Sequence, residues 1–426
     1  MTMHPDQHAL WQAILEQPRN DTLRLIYADC LEEHNQAEQA EFVRVQLQLE
    51  QWYREHGLRW NIVPGPPTLV MRERKLLNRH GQDWWLPIRK RIGQRKVLPT
   101  SFRRGFVSHV SLTVHEVLTH WNDLAAISPI DSLSLNLNDL PRTAAMLEMP
   151  LLGRLRQLSM MDRHLEGCQA LVPMLAGATH LANIESLAFG ISDRWIDTIG
   201  VLASMPCWPR LQYLGIHTFH LDSLLLRNLM EVPPSPTLHS LSLTYNLIAA
   251  GGVEFLSRSR AYRSQLQSLE LAHNPLRDEA IPLLVREPWP QLVRLNLQRT
   301  SLTSESVPWL GDATRFPKLR WLNLSMNPLG DEGLEHLLAS SLLPQLHGLD
   351  VSATNLSAAA IIRLVESPEV ANLLDLDLGQ NAQTPEVIEA VIRSPQLSGL
   401  QTIGFVPLRG AAQAAMHRRF GTGVRV

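Results

Sequence analysis

Cysteine is scarce: Cys30, Cys168 and Cys207 are odd in number and far apart, which excludes a disulfide framework and the usual spacings of thiolate zinc sites. That usage fits a reducing compartment. No apolar run of about 18 residues occurs, and the start, Met1-Thr-Met-His-Pro-Asp-Gln-His8, lacks the basic and apolar regions of a secretion signal. The expectation is a cytoplasmic protein with no membrane span. Charge of one sign is also lacking: the formal net charge is -2 and the isoelectric point is near 6.8, so a nucleic-acid or membrane role would have to arise from a local patch. The chain contains no HExxH, GxSxG, GxxxxGK[ST] or CxxC motif and no GxGxxG after a strand, which removes the local signatures of metal, nucleophile and phosphate-cradling sites. His4 and His8, four apart at the start, read as adventitious, and Asp29, Glu32 and Glu33 as a solvated helix surface. No catalytic residue, metal ligand or cofactor is expected. What is present suffices for a fold: hydrophobic residues are 45% and charged residues 19% of the chain, a balance that excludes a disordered chain.

The organising feature is a repeat. Leu238-His-Ser-Leu241-Ser-Leu243-Thr-Tyr-Asn246 aligns with Leu266 to Asn274 and with Leu319 to Asn327 in the pattern LxxLxLxxN. The same frame opens at Ile130, Leu155, Ile184, Leu211, Leu292, Leu346, Leu373 and Leu400, with a first, cap-like copy at Val107, twelve copies in all. From Leu211 onward the intervals are 27, 28, 26, 27, 27, 27 and 27 residues; the earlier ones, 23, 25, 29 and 27, are looser. Leucines two apart point to one face of a strand, and a segment such as Asp331 to Leu338 that follows has helical periodicity. Neither element buries its apolar side alone, so the repeats are expected to stack, with strands in an inner parallel sheet and helices outside, as a curved solenoid. Asn246, Asn274, Asn327 and Asn381, with Thr300 and Thr354 at the same frame position, are expected to bond the buried backbone of neighbouring turns.

The stretch from Leu211 to Leu400 resembles leucine-rich repeats of the ribonuclease-inhibitor-like subclass, and the looser copies from Val107 extend the likeness over about three quarters of the chain. Arg163, Ser192 and Phe219 stand where the pattern has Asn. The resemblance implies an α/β leucine-rich repeat solenoid preceded by a small N-terminal helical domain, and a scaffold used mainly to bind proteins.

Before the repeats, helices are predicted over His8 to Glu16, Thr22 to Glu33 and Ala37 to about Glu55, with Leu23, Ile26, Tyr27 and Leu31 on one face and Phe42, Val45, Gln46 and Leu49 on another. The string from Asp21 to Glu33, followed by Glu41-Phe-Val-Arg-Val-Gln46, resembles the bacterial repeat-companion domain, with Cys30 where that pattern commonly has Trp. Pro64-Gly-Pro-Pro67 marks a break, so the expected division is a helical domain over 1–63, a linker and cap over 64–105 and the solenoid over 106–426. Charge shifts sharply here: residues 1–50 hold nine acidic and three basic side chains, whereas 51–104 hold three acidic and thirteen basic. Arg72, Arg74, Lys75, Arg79, Arg89, Lys90, Arg91, Arg95 and Lys96 therefore read either as a solvated face complementing the acidic helices or, less favoured, as a nucleic-acid contact. Trp84 and Trp85 are expected to plug the end of the solenoid core rather than stack on bases.

The expected function is non-enzymatic binding of a protein partner on the concave sheet. The third, fifth, seventh and eighth frame positions should face solvent there, and their larger side chains are Tyr213, His217, Tyr245, Glu270, His273, Arg294, Asn296, Gln298, Arg299, Trp321, Asn323 and Met326, with Asp350, Asp375 and Asp377 forming an acidic edge. The aromatic and arginine content from Tyr213 to Trp321 marks the centre of the expected interface. A regulator of a GTPase built on the same scaffold is the competing reading from the acidic edge, although the end of the chain, Met416 to Arg425, is basic.

Overall fold

The computed structural model describes residues 4–55, 65–93, 99–162, 171–191, 195–217, 220–405 and 410–425. It divides into two compact units, residues 1–187 with 205–207, and residues 188–204 with 208–426. Arg163, Ser192, Phe219, Cys168, Arg95 and Lys96 lie outside the described residues.

The first unit opens with four helices, α1 (Pro5–Glu16), α2 (Asp21–Glu33), α3 (Ala37–Glu55) and α4 (Pro67–Ile92). The Asn20 side chain accepts from the amide of Leu23 to start α2, and α4 has proline at its first position and Gly93 in the left-handed conformation at its end. Ile14, Tyr27, Ala28, Leu31, Ala40 and Val43 form the core of this bundle, with Phe106 inserted among them. Ile26, expected on the buried face, is 46% exposed, whereas Arg24 is 2% exposed. The buried stripe of α2 is therefore rotated toward Arg24, which a charge-averse reading of the helix misses.

Arg24 is buried because a hairpin, β1 (Phe102–Arg103) and β2 (Phe106–Val107), satisfies it. Its guanidinium donates to the carbonyls of Arg104 (2.7 Å) and Pro18 (2.6 and 3.1 Å). Glu50 of α3 accepts from Arg103 at 2.7 and 2.9 Å and from Arg104 at 3.2 Å. Gln46 accepts from the amide of Gly105 at 2.6 Å. Gly105 has φ +90°, and a Cβ there would lie 2.4 Å from Val43, so glycine is required by both the turn and the close approach. The 26-residue α4 packs on α3 and on α5 (Val114–Ile127), the helix of the first repeat. Trp85 is 1% exposed, and Trp84 sits against Phe42 and Phe102 at ring separations of 4.7 and 6.4 Å. Trp85 is thus internal, whereas Trp84 is half-buried and packs on these rings.

Repeat strands begin two residues after each frame opening: β3 (His109–Thr113), β4 (Ser132–Asn136), β5 (Gln157–Asp162), β6 (Ser186–Ile191), β7 (Tyr213–Ile216), β8 (Ser240–Ser242), β9 (Ser268–Glu270), β10 (Arg294–Asn296), β11 (Trp321–Asn323), β12 (Gly348–Asp350), β13 (Asp375–Asp377) and β14 (Thr402–Gly404). In the first unit β3, β4 and β5 pair in parallel with His109, Ser132 and Gln157 in register. In the second unit β7 to β14 pair in parallel without slippage, so Leu214, Leu241, Leu269, Leu295, Leu322, Leu349, Leu376 and Ile403 form one buried row. A further strand that the pattern does not predict, β15 (Val424–Arg425), continues the sheet beyond β14.

The asparagine ladder forms as expected. Asn327 donates to the carbonyls of Leu297 (2.7 Å) and Leu324 (2.9 Å) and accepts from the amides of Thr300 (2.9 Å) and Leu302 (3.1 Å). Asn246, Asn274 and Asn381 repeat this arrangement. Outer segments are helical over Ser223–Glu231, Ala250–Arg258, Gly330–Leu338, Ala358–Glu366 and Pro385–Arg393. They shorten to Ala280–Leu284 and Val307–Leu310 in two of the repeats.

Candidate functional site

The open face of the second unit's sheet carries the first and third residues of each strand. Register places Tyr213, Ser240, Ser268, Arg294, Trp321, Gly348 and Asp375 in one row, and Gly215, Ser242, Glu270, Asn296, Asn323, Asp350 and Asp377 in the next. At a strand spacing of about 4.8 Å, the five strands from Tyr213 to Trp321 cover roughly 20 Å.

The side chains on this face are tied to one another. Arg294 and Glu270 approach to 3.9 Å, and Glu270 accepts from Ser242 at 3.3 Å. His217 shares a 2.6 Å bond with the Thr244 hydroxyl, and Asn323 donates to Asp350 at 3.0 Å. Burial holds His217 below the usual histidine range, against the opposing pull of the Thr244 carbonyl and Glu270. Burial does the same to His109 on β3, against Asp131.

Trp321 corrects the expectation. It occupies the predicted row but is only 6% exposed, because its ring lies across Gly348 of the next strand, where a Cβ would come within 2.0 Å of Cε3. Burying an indole on a neighbouring glycine removes apolar surface from water, so the largest side chain of the row is a cover for the sheet rather than an exposed anchor. Asn296 is likewise 9% exposed, its carboxamide accepting from the amide of Gln298. The seventh frame positions differ in part from expectation: Thr244, Ala272 and Ser325 are buried, while His217, Gln298 and Ser352 are partly open.

Exposure concentrates instead at the eighth position. Tyr245, His273, Arg299, Met326, Ala353 and Gln380 all take left-handed φ values, from 50° to 58°. In each of the first five the amide donates to the carbonyl of the seventh residue in the next repeat, at 2.8 to 3.0 Å. The conformation costs an L residue about 1 kcal/mol or more, and the hydrogen bond to the neighbouring repeat offsets it. The result is an outward row: Tyr245 is 44% and Met326 41% exposed, Arg299 is exposed, and Tyr245 stacks on His273 at 4.1 Å. Burial, and then the positive charge of Arg299, hold His273 below the usual histidine range. LxxLxLxxN shows which residue precedes the Asn but not the sign of its φ.

Asp350, Asp375 and Asp377 stand on β12 and β13 as expected. Each is engaged: Asp350 accepts from the amide and hydroxyl of Ser352, Asp377 from the amide of Gly379, and Asp375 from Thr402. On α4 the exposed side carries Arg74, Lys75, Arg79, Arg89 and Lys90, while Arg72 pairs with Glu41 and Arg91 lies 4.0 Å from Asp123. Asp29 and Glu32 clasp Arg44 at 2.7 Å each. The Glu33 carboxylate lies near Cys30 and His34. On the outer side, Trp309 is 53% and Leu224 61% exposed, neither of which repeat spacing singles out. Among the described residues no helix is long and apolar enough to cross a membrane.

These features define the class: an α/β leucine-rich repeat solenoid with an N-terminal helical region. A Leucine Rich repeat family profile matches residues 317–338, the span of β11 and the helix after it. A chain of the yeast Rad7 and Elc1 complex is similar in fold, at 16% identity and a TM-score of 0.50, over 89% of this chain and 92% of that one. An internalin from Listeria monocytogenes matches at 18% identity and a TM-score of 0.35, over 66% and 81% of the two chains. A Bacteroides fragilis protein matches at 17% and 0.37, over 76% and 81%. No curated protein matches the chain.

Proposed function

We propose that the protein is a non-enzymatic scaffold that binds a protein partner on the open sheet face of the second unit. The observation that carries this reading is the eighth-position row, where Tyr245, His273, Arg299 and Met326 are held outward by backbone that neighbouring repeats fix. Preorganised aromatic and arginine side chains lose little freedom on binding and dominate interface energies. Tyr213, His217, Glu270, Arg294 and Asn323 supply the polar floor beneath them, and Trp321 supports that floor from within. In the same reading, residues 64–105 join and cap between a helical domain over 1–63 and the solenoid over 106–426. The period near 27 and the helical outer segments support the ribonuclease-inhibitor-like subclass, and the string from Asp21 to Gln46 a bacterial repeat-companion domain acting in the cytoplasm.

The test is capture of the partner from native extract followed by calorimetry. A Tyr245, Arg299 and Met326 triple alanine variant should weaken binding by about 2 kcal/mol or more without loss of fold, whereas Trp309→Ala on the outer side should leave it unchanged. The opposite pattern moves the interface to the outer side. A second reading, contact with a polyanion through Arg74, Lys75, Arg79, Arg89 and Lys90, rests on their exposure along one helix. Because Trp85 is buried and Trp84 packs against Phe42, His80 and Phe102, it is confined to electrostatics and predicts a steep salt dependence.

A further inference from the structure

We propose that Cys30, Glu33 and His34, with His4 beside them, form a zinc-binding site at the end of α2. Glu33 and His34 stand three and four residues after Cys30, so each is a neighbour of the Cys30 side chain one turn on. Ligand atoms of the three lie within 4.8 Å of one another. Cys30 Sγ and His34 Nδ1 are 3.7 Å apart; bond lengths of about 2.3 Å to sulfur and 2.0–2.1 Å to nitrogen in a tetrahedron require an edge of about 3.6 Å. Thiolate, imidazole and carboxylate together are a donor set suited to zinc.

A second element closes the group. The His4 ring packs against His34 at a tilt of 42°, with centroids 4.7 Å apart, and its Nδ1 lies 3.4 Å from Asp6. Glu33 places a carboxylate beside the Cys30 thiol, and such a charge favours a cation that brings the thiolate with it. On binding, Cys30 loses its proton to solvent as the Zn–S bond forms. His34 Nδ1, now 2.8 Å from the Cys30 carbonyl, exchanges that contact for the metal, its proton moving to Nε2.

The experiment titrates the full chain with Co²⁺ and then displaces it with Zn²⁺. A thiolate-to-cobalt charge-transfer band that saturates at one equivalent and disappears on adding Zn²⁺ is expected, together with a zinc-dependent rise in melting temperature. Cys30→Ser should abolish the band, and His34→Asn or Glu33→Gln should weaken Zn²⁺ affinity at least tenfold; Cys207→Ser should leave both unchanged. Circular dichroism and the metal-free melting temperature establish that each variant is folded. Absence of a saturable band in the folded wild-type chain, or a band and stabilisation that persist in Cys30→Ser, overturns the site.

Discussion

Trp321 and Gly348 meet across β11 and β12, and their contact shows how one residue's freedom is set by the strand beside it. Because a Cβ on Gly348 would fall inside the Trp321 ring, Gly348→Ala should destabilise the protein by about 1–3 kcal/mol, read from denaturant midpoints. In a Trp321→Ala background the same change should cost far less, and additive costs would show that the two side chains do not compete for the space. His109 and His217 make a second prediction. Both are held below the usual histidine value by burial, so near pH 6 the unfolded chain binds more protons than the folded one. Stability from these groups is complete above about pH 6.5 and falls as pH drops below it, by at most about 1.4 kcal/mol per pH unit for each. Melting temperatures recorded on either side of that pH should show the decline, and His217→Gln, which retains a bonding group for Thr244, should make it shallower.

At the scale of the repeat, the strand and its asparagine are one device. The Leu row buries the strand's inner side, but the bend that follows leaves amides and carbonyls facing the core, and Asn327 satisfies groups from two repeats at once. Asn327→Ala should therefore cost roughly 2–5 kcal/mol in thermal or denaturant unfolding, the penalty of several buried groups left unmet. Asn327→Asp should not restore it, since a carboxylate cannot donate to Leu297 and Leu324. The same bend turns Tyr245, His273, Arg299 and Met326 outward. The ladder that stabilises the fold is thus also what positions the candidate interface. Strand starts and the Asn ladder are legible in LxxLxLxxN because period and polarity are local properties. The handedness of the eighth residue is not, because the neighbouring repeat supplies the bond that makes it affordable.

At the scale of the whole molecule, the N-terminal helices and the first repeats fall in one compact unit. Phe106 completes the helical core, and the α4 helix covers α5. A chain beginning at Val107 removes both, exposing the apolar side of the first repeat, and should aggregate or melt well below the full-length protein in scanning calorimetry. A monomeric fragment as heat-resistant as the full chain would show that the cap is dispensable. Glu50 links the halves of this unit electrostatically: burial pushes its carboxyl up, but the bonds and charges of Arg103 and Arg104 outweigh that and hold it below the usual carboxylate range. Its contribution is present above the unfolded carboxylate's pKa and is lost as pH falls through the folded one.

What the sequence by itself determined is the architecture along the chain. Leucine spacing marks every strand from β3 to β14, proline and capping residues locate the helices, and Asn and Thr at the ninth position announce the ladder, all because backbone periodicity is written in neighbouring residues. What only the tertiary structure decided is which side chains are available. Trp321 is covered because β12 offers a glycine, Arg24 is buried because a hairpin about 80 residues later presents a carbonyl, and His34 meets His4 because α1 folds back on α2. Each of these depends on a partner remote in sequence, and a burial or pairing energy that two distant segments share cannot be assigned from either one alone.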